Sequence, residues 1–307
     1  KQTTNGFEVG ITGDIIKSKD VTWTLGVNFA TLEKVVNELY PGIDARDLST
    51  YSTSIRLQER VGEEYGLFYG TGYAKDENGN ILFTENDGNY YYSIQQNKFL
   101  GSLLPDYTGG IVSNFKYKNL SFNLGFDFQK GGKFYSVTKM FNASSGNGAQ
   151  TVGTNDLGNP IRDLVVNGDG NTVTSTNVNN ALPSSGGIRV SGADAATGQE
   201  VAYYVQPRTY FNNLYGVVEE WLYDASYIKL RQISLGYNFP KPLMEKLPFE
   251  SLKLSVYANN LWLIYSDVDG IDPSEVEDYY SSGNARWVEA GQSPSQRTIG
   301  MDIKLSF

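Results

Sequence analysis

The sequence predicts an all-β fold, an antiparallel transmembrane β-barrel, from three observations. Its 307 residues include 33 Gly, 22 Tyr and 15 Phe, a composition that favours strands, turns and long loops over helices. Several segments alternate apolar and polar residues with a period of two, as strands with one apolar face do. The segments that join them alternate between short and long, as the connections at the two rims of a transmembrane barrel do.

The first two strands are predicted as a hairpin. Their apolar residues recur at every second position on either side of the short polar segment KSKD, residues 17–20. The alternating apolar residues are Phe7, Val9, Ile11 and Ile15 before this segment, and Trp23, Leu25, Val27 and Phe29 after it. A period of two over such lengths indicates paired strands with one apolar face.

Five more strands follow. YTGGIVSNFKYK, residues 107–118, leads through Lys118-Asn119 into LSFNLGFDFQ, residues 120–129, which has the most regular alternation. The next two are 227–239, with a bulge expected near Arg231-Gln232 because the alternation slips there, and 251–263. The last runs from about 296 to 307. We expect the following side chains to face lipid: Leu120, Phe122, Leu124, Phe126, Phe128, Ile299, Met301, Ile303 and Leu305.

The long connectors are 32–106, 141–220 and 267–294, and all of them are expected at one rim of the barrel. With short connectors at the other rim, the first and last strands run in the same direction, so the number of strands is odd. We count seven, or nine if part of 54–106 also crosses the membrane. Because single-chain bacterial barrels have even strand numbers, we expect another stretch of polypeptide to pair with both edges of the sheet.

Composition excludes several function classes. The sequence contains no Cys and no His, which removes thiolate and imidazole metal sites and catalytic arrangements of the Ser-His-Asp or Cys-His type. A net charge of −9 argues against nucleic acid as a partner, because nucleic-acid surfaces need clustered Lys and Arg. No run of 18 apolar residues encodes a transmembrane helix. We expect no enzyme activity and no cofactor.

Several segments towards the end of the sequence form a distinctive set: DASYIKLRQISLGYNFP (224–240), LKLSVYANNLWLI (252–264), DGIDPSEV (269–276) and the terminal aromatic strand. Together they resemble the C-terminal end of SusC/RagA-like TonB-dependent outer-membrane transporters. Upstream, the segments 5–39 and 100–132 resemble those that precede this end in the same family, and the order matches as well. The resemblance covers most of the chain except residues 141–220.

The resemblance implies that residues 1–307 are the C-terminal portion of a 22-stranded barrel in the bacterial outer membrane. The remaining barrel strands, the plug domain and the segment that contacts the TonB complex would lie outside this sequence. It also implies a nutrient importer for oligosaccharides or peptides, with a SusD-like surface lipoprotein as a lid over the extracellular loops. Outer-membrane lipid would surround the strands.

Aromatic residues in the connectors are candidates for ligand binding, because aromatic faces pack against sugar rings and peptide side chains. The main candidates are Tyr279, Tyr280, Trp287 and Trp221, and further candidates of the same kind are Tyr90, Tyr91 and Tyr92. The alternative for each is packing within the loops or in the interfacial girdle. On the polar strand faces, Asp127, Arg231 and Lys253 either line a substrate path or form the ordinary polar wall of a large barrel.

Three segments place oxygen-bearing side chains at alternate positions, as calcium loops do: DENGN (76–80), NGDGN (167–171) and DVDGID (267–272). None has the glutamate that closes an EF-hand loop. Asn-Gly and Asp-Gly pairs are also common in tight turns, and turns are the interpretation that we favour, with no metal site. The segment 142–200, rich in Gly, Asn, Ser and Thr, is either a flexible linker or a long extracellular loop, which its flanking strands favour.

Two other functions fit parts of the sequence. A cell-surface β-sandwich that binds glycans would also be rich in strands and aromatic residues. A glycosidase would use a pair of carboxylates, but no spacing among the acidic residues isolates such a pair. The alternation of short and long connectors favours the transporter over both.

Overall fold

The computed structural model describes residues 1–52, 54–86, 89–245, 248–276 and 287–307. The strands within these residues are β1 Gln2–Lys17, β2 Val21–Val36, β3 Ala45–Ser52, β4 Ile55–Arg60, β5 Leu67–Tyr73, β6 Leu82–Asn86, β7 Asn89–Tyr92, β8 Ile94–Ser102, β9 Pro105–Tyr117, β10 Leu120–Gly131, β11 Lys133–Ser136, β12 Val165–Val166, β13 Thr172–Val173, β14 Ser175–Asn177, β15 Ile188–Asp194, β16 Glu200–Val205, β17 Leu222–Asp224, β18 Tyr227–Asn238, β19 Ser251–Ser266, β20 Val288–Glu289 and β21 Thr298–Ser306. The helices are α1 Val137–Ser144, α2 Pro207–Asn213 and α3 Lys241–Met244.

Seven long strands form one antiparallel sheet, in the order β1-β2-β9-β10-β18-β19-β21. These are the seven strands that the alternation predicts. The register of β18 against β19 shifts between Leu230 and Gln232, so the predicted bulge is confirmed. The short strands between residues 54 and 102 pair in other sheets, so within the described residues none of them extends the large sheet to nine strands. β1 and β21 are its two edges.

The register places the apolar side chains of the large sheet on one face. Directly opposed residues of antiparallel strands share a face, and the pairs form continuous apolar rows. One row contains Leu124, Ile233, Ala258 and Ile299, and the next contains Phe122, Leu235, Val256 and Met301. Ile299 is 77% exposed and Met301 62%. The chain therefore presents an apolar sheet face that no part of the described chain covers.

The short and long connectors separate to opposite ends of the sheet, as predicted. At one end, Tyr117 lies opposite both Val21 and Leu120, and Leu120 lies opposite Tyr237, so the described residues of the connectors 18–20, 118–119 and 239–250 lie there. The other end carries the described residues of 37–104, 132–226 and 267–297. No described helix is long and apolar enough to cross a membrane.

The three long connectors fold together into one loop domain. Strands β6 and β7 of the first connector join β14, β15 and β16 of the second in a five-stranded sheet, and β20 of the third pairs with β11 of the second. A common hydrophobic core includes Ile55 and Phe68, Val137 and Trp221, and Trp287. The long segment 142–200 is thus part of a folded domain, not a flexible linker, and the described parts of the three connectors pack on one another.

Candidate functional site

The polar face of the large sheet lies opposite the apolar rows and extends toward the loop domain. Asn123 donates a hydrogen bond to Ser234 across β10 and β18, at 2.9 Å. Asp127 and Lys229 lie opposite each other on this face, and Lys253 lies opposite Lys304. The face is therefore a polar wall that includes the predicted residues Asp127, Arg231 and Lys253.

An ionic cluster joins this wall to the third connector. The ammonium of Lys229, only 1% exposed, contacts Asp272 Oδ2 at 2.5 Å and Glu275 Oε1 at 2.8 Å. The guanidinium of Arg231 binds Asp127 Oδ2 at 2.7 Å and approaches Glu275 Oε1 at 3.4 Å. Because a buried ammonium without a partner is strongly disfavoured, Lys229 holds residues 272–275 against the wall.

The sequence DPSE forms the turn that presents these carboxylates. Asp272 caps the short 3₁₀ turn Pro273–Glu275, since its Oδ1 accepts hydrogen bonds from the Ser274 amide at 3.1 Å and from Ser274 Oγ at 2.6 Å. Pro273 stands at the first turn position, where its fixed φ is suitable. Burial opposes ionisation of Asp272, but the hydrogen bonds from Lys229 and Ser274 outweigh it and lower the pKa of the carboxyl. Asp272 therefore stays charged and paired.

The other two segments with calcium-like spacing also form turns. Asp76 Oδ1 accepts from the amides of Asn78 and Asn80 at 2.9 and 2.8 Å. Asn167 Oδ1 accepts in the same way from Asp169 and Asn171 at 3.2 and 2.9 Å. These side-chain oxygens thus accept hydrogen bonds from the backbone of their own turns. Among the residues that the structure describes, no group of three or more acidic side chains is arranged to hold a metal ion.

Two of the four predicted ligand-binding aromatics lie in the hydrophobic core of the loop domain. Trp221 is 2% exposed and donates its indole N–H to the Leu214 carbonyl at 2.9 Å. Trp287 is 0% exposed and packs against the ring of Phe68, with centroids 5.5 Å apart. Neither indole has a free face, so packing describes both better than ligand contact. Tyr279 and Tyr280 lie outside the described residues.

A junction between the first and second connectors was not predicted from the sequence. Glu219 Oε2 accepts from Lys98 Nζ at 2.7 Å and from the Tyr73 amide at 2.9 Å, while Glu220 accepts from the Tyr73 hydroxyl at 2.7 Å. A Cβ at Gly72 would lie 2.5 Å from Glu219 Oε2, so glycine makes room for this carboxylate. Glu220 is exposed at the surface as a residue, but desolvation of its carboxyl beside Tyr73 raises the pKa of that group.

The three consecutive tyrosines 90–92 have different environments. The Tyr92 ring packs edge-on against Tyr73, with centroids 5.0 Å apart, and lies 4.9 Å from Phe83. Tyr90 stacks on Tyr203 of β16 at 3.7 Å, and Tyr91 is exposed. Tyr92 also packs edge-on against Tyr210 of α2, with centroids 6.2 Å apart. Tyr90 and Tyr92 thus join the first connector to the second.

Comparison with known proteins agrees with this architecture. No family model matches the chain. TonB-dependent receptor P3 of Formosa agariphila (strain DSM 15362 / KCTC 12365 / LMG 23005 / KMM 3901 / M-2Alg 35-1) is 26% identical over 327 aligned residues, and receptor P39 of the same organism is 23% identical over 354, each match covering 98% of this chain. Among solved structures, the RagAB peptide transporter superposes on the whole chain with a TM-score of 0.60 and 17% identity.

The chain is therefore similar in sequence to TonB-dependent receptors, and it shares its fold with the RagAB transporter. A second RagAB structure, the peptide importer in the open-open state, superposes with a TM-score of 0.59. The chain spans 28% and 30% of the two receptors and 29% of the RagAB chain. The predicted all-β, barrel-type fold is thereby confirmed. The names of these relatives describe receptors and importers.

Proposed function

We propose that residues 1–307 form the C-terminal seven strands of the barrel of an outer-membrane nutrient importer of the TonB-dependent SusC/RagA type. The rest of the barrel, of 22 strands in all, would pair with β1 and β21 and enclose a plug that couples to the TonB complex. Free sheet edges in hydrocarbon leave backbone groups unpaired at high cost, which supports a partner strand at each edge.

The observation that carries this proposal is the uncovered apolar face of the large sheet. In a soluble protein such a face would be buried against a second layer. Here it remains exposed across all seven strands, while the opposite face is polar and carries the Asp127–Arg231 pair. A transmembrane barrel stabilises such a sheet, because lipid covers its apolar outer face and water solvates its polar inner face.

The alternative, a β-sandwich that binds glycans, fits the structure less well. A sandwich packs the apolar faces of two sheets against each other at about 10 Å. The side sheets here belong to the loop domain, which lies at one end of the large sheet, beyond the long-connector ends of its strands. The apolar rows of the large sheet thus have no facing sheet among the described residues.

The substrates that we propose are oligosaccharides or peptides, imported with a SusD-like surface lipoprotein as a lid. The name of the RagAB peptide importer supports peptides, and the folded loop domain offers a rigid surface on which a lid could rest. Tyr279 and Tyr280 remain the proposed ligand contacts of the third connector.

An uptake experiment tests the function directly. The full-length gene is expressed in a bacterial strain that lacks it, with and without a functional TonB, and cells are given fluorescent oligopeptides and oligosaccharides. We expect the protein in the outer-membrane fraction and TonB-dependent accumulation of one substrate class. Recovery of the protein in the soluble fraction, or uptake equal without TonB, would contradict the proposal.

Purification of the tagged full-length transporter in mild detergent tests the lid. A SusD-like lipoprotein should copurify, because an obligate interface buries more than about 2,000 Å². Recovery of the transporter alone, from cells that express both proteins, would count against the lid and leave the import function standing.

A further inference from the structure

A cavity of about 520 Å³ lies in the second connector, where the end of α1 meets the start of α2. Its walls include Ser144 and Gly146, Arg162, Leu164, and Arg208. The volume is within the range of small-ligand sites. The lining residues are mainly polar and charged, with Leu164 and Pro207 among the few apolar side chains.

The backbone around the cavity holds Arg162 in a fixed position. Its Nε donates to the Thr151 carbonyl at 2.8 Å, and its Nη2 donates to Thr151 Oγ1 at 2.6 Å and to the Gly146 carbonyl. No acidic side chain pairs with this guanidinium within the described residues. Neutral carbonyls thus orient it without cancelling its charge, and Nη1 remains available.

Arg208 contributes a second guanidinium to the same cavity. It is exposed and has no hydrogen-bond or ion-pair partner in the part of the chain that the structure describes. Asp163 also lines the cavity but forms no ion pair with either arginine. Two arginines and one aspartate give the cavity a formal charge of +1, in a chain whose net charge is −9.

We propose that this cavity binds a carboxylate group of the transported substrate, with Arg208 as its free guanidinium and Arg162 as its fixed one. Guanidinium groups match carboxylates in shape and form charge-assisted hydrogen bonds with them. The apolar wall around Leu164 accommodates the carbon skeleton next to the carboxylate. The carboxylate is either the C-terminus of a peptide or the uronate group of an oligosaccharide. Only the statement that it belongs to a transported substrate rests on the proposed import function.

Binding to the purified full-length transporter, measured by calorimetry, tests the proposal with two matched pairs of probes. One pair is an N-acetylated tripeptide with a free C-terminal carboxylate and the same tripeptide as its amide. The other is a glucuronate-containing trisaccharide and its methyl ester. In at least one pair, the acid should bind roughly tenfold more tightly than the neutral form, a modest preference because exposed charges are screened by water.

Arg208→Gln should abolish the preference for the acid, because it removes the free guanidinium. It should leave the fold intact, because the Arg208 side chain has no partner among the described residues to lose. Arg56→Gln is the matched control, because Arg56 is an exposed arginine of β4 in the first connector and should leave the preference unchanged. Equal binding of acid and neutral forms in both pairs would overturn the proposal. A preference that survives in Arg208→Gln would overturn it too.

The test is independent of the proposed import function. Substrate uptake without any acid preference in binding would remove the carboxylate site and leave the import function intact. An acid preference that depends on Arg208, in a protein that does not import, would support the site and contradict the import function.

Discussion

The large sheet and the loop domain use apolar side chains in opposite ways. On the sheet, Ile299 is 77% exposed, and its neighbours in the apolar rows have no covering layer. In the loop domain, Trp287 is fully buried with Phe68 and Val137 in a core shared by all three long connectors. The sheet depends on its surroundings to cover its apolar face, whereas the loop domain covers its own.

This difference predicts separate responses to mutation. Substitutions in the loop core should act through packing and leave membrane insertion unchanged. Charged substitutions on the apolar sheet face should impair membrane insertion. The same substitutions on the polar face of the same strand should have little effect. The four variants below test the contrast, from the largest expected effect to the smallest.

Trp221→Ala should destabilise the loop domain by about 3–5 kcal/mol, the usual cost of removing a buried large aromatic side chain. The variant also loses the hydrogen bond to the Leu214 carbonyl. Trp262→Ala is the matched control, because Trp262 lies on the apolar face of β19 and is 58% exposed. Limited proteolysis of the full-length protein should show faster cleavage in the connectors only for Trp221→Ala. Equal protection of both variants would contradict the core assignment.

Val27→Arg should impair assembly into the outer membrane, by about 2–4 kcal/mol if the residue lies near the bilayer midplane. Val27 stands between Ile11 and Ile111 on the apolar face of the sheet. The neighbouring substitution Asn28→Arg places the same charge on the polar face and should be tolerated. The fraction of heat-modifiable folded barrel on gels measures both. If Asn28→Arg is the more harmful, the two faces are assigned the wrong way round.

The sequence predicted the large sheet because a period of two is a local signal that long strands repeat many times. It did not predict the loop domain, whose strands are short and whose contacts join distant parts of the chain. Ser136 Oγ binds Glu289, 153 residues away, and the Tyr73 amide binds Glu219, 146 residues away. Periodicity contains no information about such partners.

The candidate site was predictable only in part for the same reason. The alternation placed Asp127 and Arg231 on the polar face, but the partners of Lys229 come from the third connector. For Trp221 and Trp287, sequence left open ligand contact and packing, because aromatic side chains serve both purposes. Burial in the folded loop domain is what separates the two uses.

Asp272→Asn should loosen the third connector from the wall by about 1.5–3 kcal/mol, the range for a hydrogen bond to a charged group. Glu275 still pairs with Lys229, and asparagine keeps the oxygen that caps the turn, so the loss is partial. Hydrogen exchange at the amides of residues 274–276 should accelerate. Asp269→Asn, at an exposed position in the same connector, is the control and should leave exchange unchanged.

The docking of this connector should also resist mild acid. The pKa of Asp272 is lowered in the folded protein, so its contribution is fully present above the ordinary carboxyl pKa of about 3.9. It is lost as pH falls through the lowered value. Amide exchange should therefore keep its protection from pH 8 to pH 5, and loss of protection within that range would contradict the role of Asp272.

Glu220→Gln should have the smallest effect, and it should be stabilising. Desolvation of the carboxyl raises the pKa of Glu220, partly offset by the hydrogen bond from Tyr73, and the charge of Glu219 raises it further. A raised carboxyl pKa means that the folded protein binds the proton more tightly than the unfolded chain does. Stability is then highest below the ordinary pKa of about 4.3, declines as pH rises through the folded value, and stays lower above it.

Glutamine is neutral at every pH and can still accept the Tyr73 hydroxyl proton, so Glu220→Gln should remove this decline and raise stability at pH 7. Glu219→Gln should do the reverse, because it breaks the ion pair with Lys98, at 2.7 Å, across the same junction of connectors. Unfolding of the loop domain, followed by tryptophan fluorescence between pH 4 and pH 8, compares the two. Because the loop domain has its own core, the two substitutions should change its stability in opposite directions and leave barrel assembly unchanged. If both raise or both lower the stability at pH 7, the described junction is contradicted.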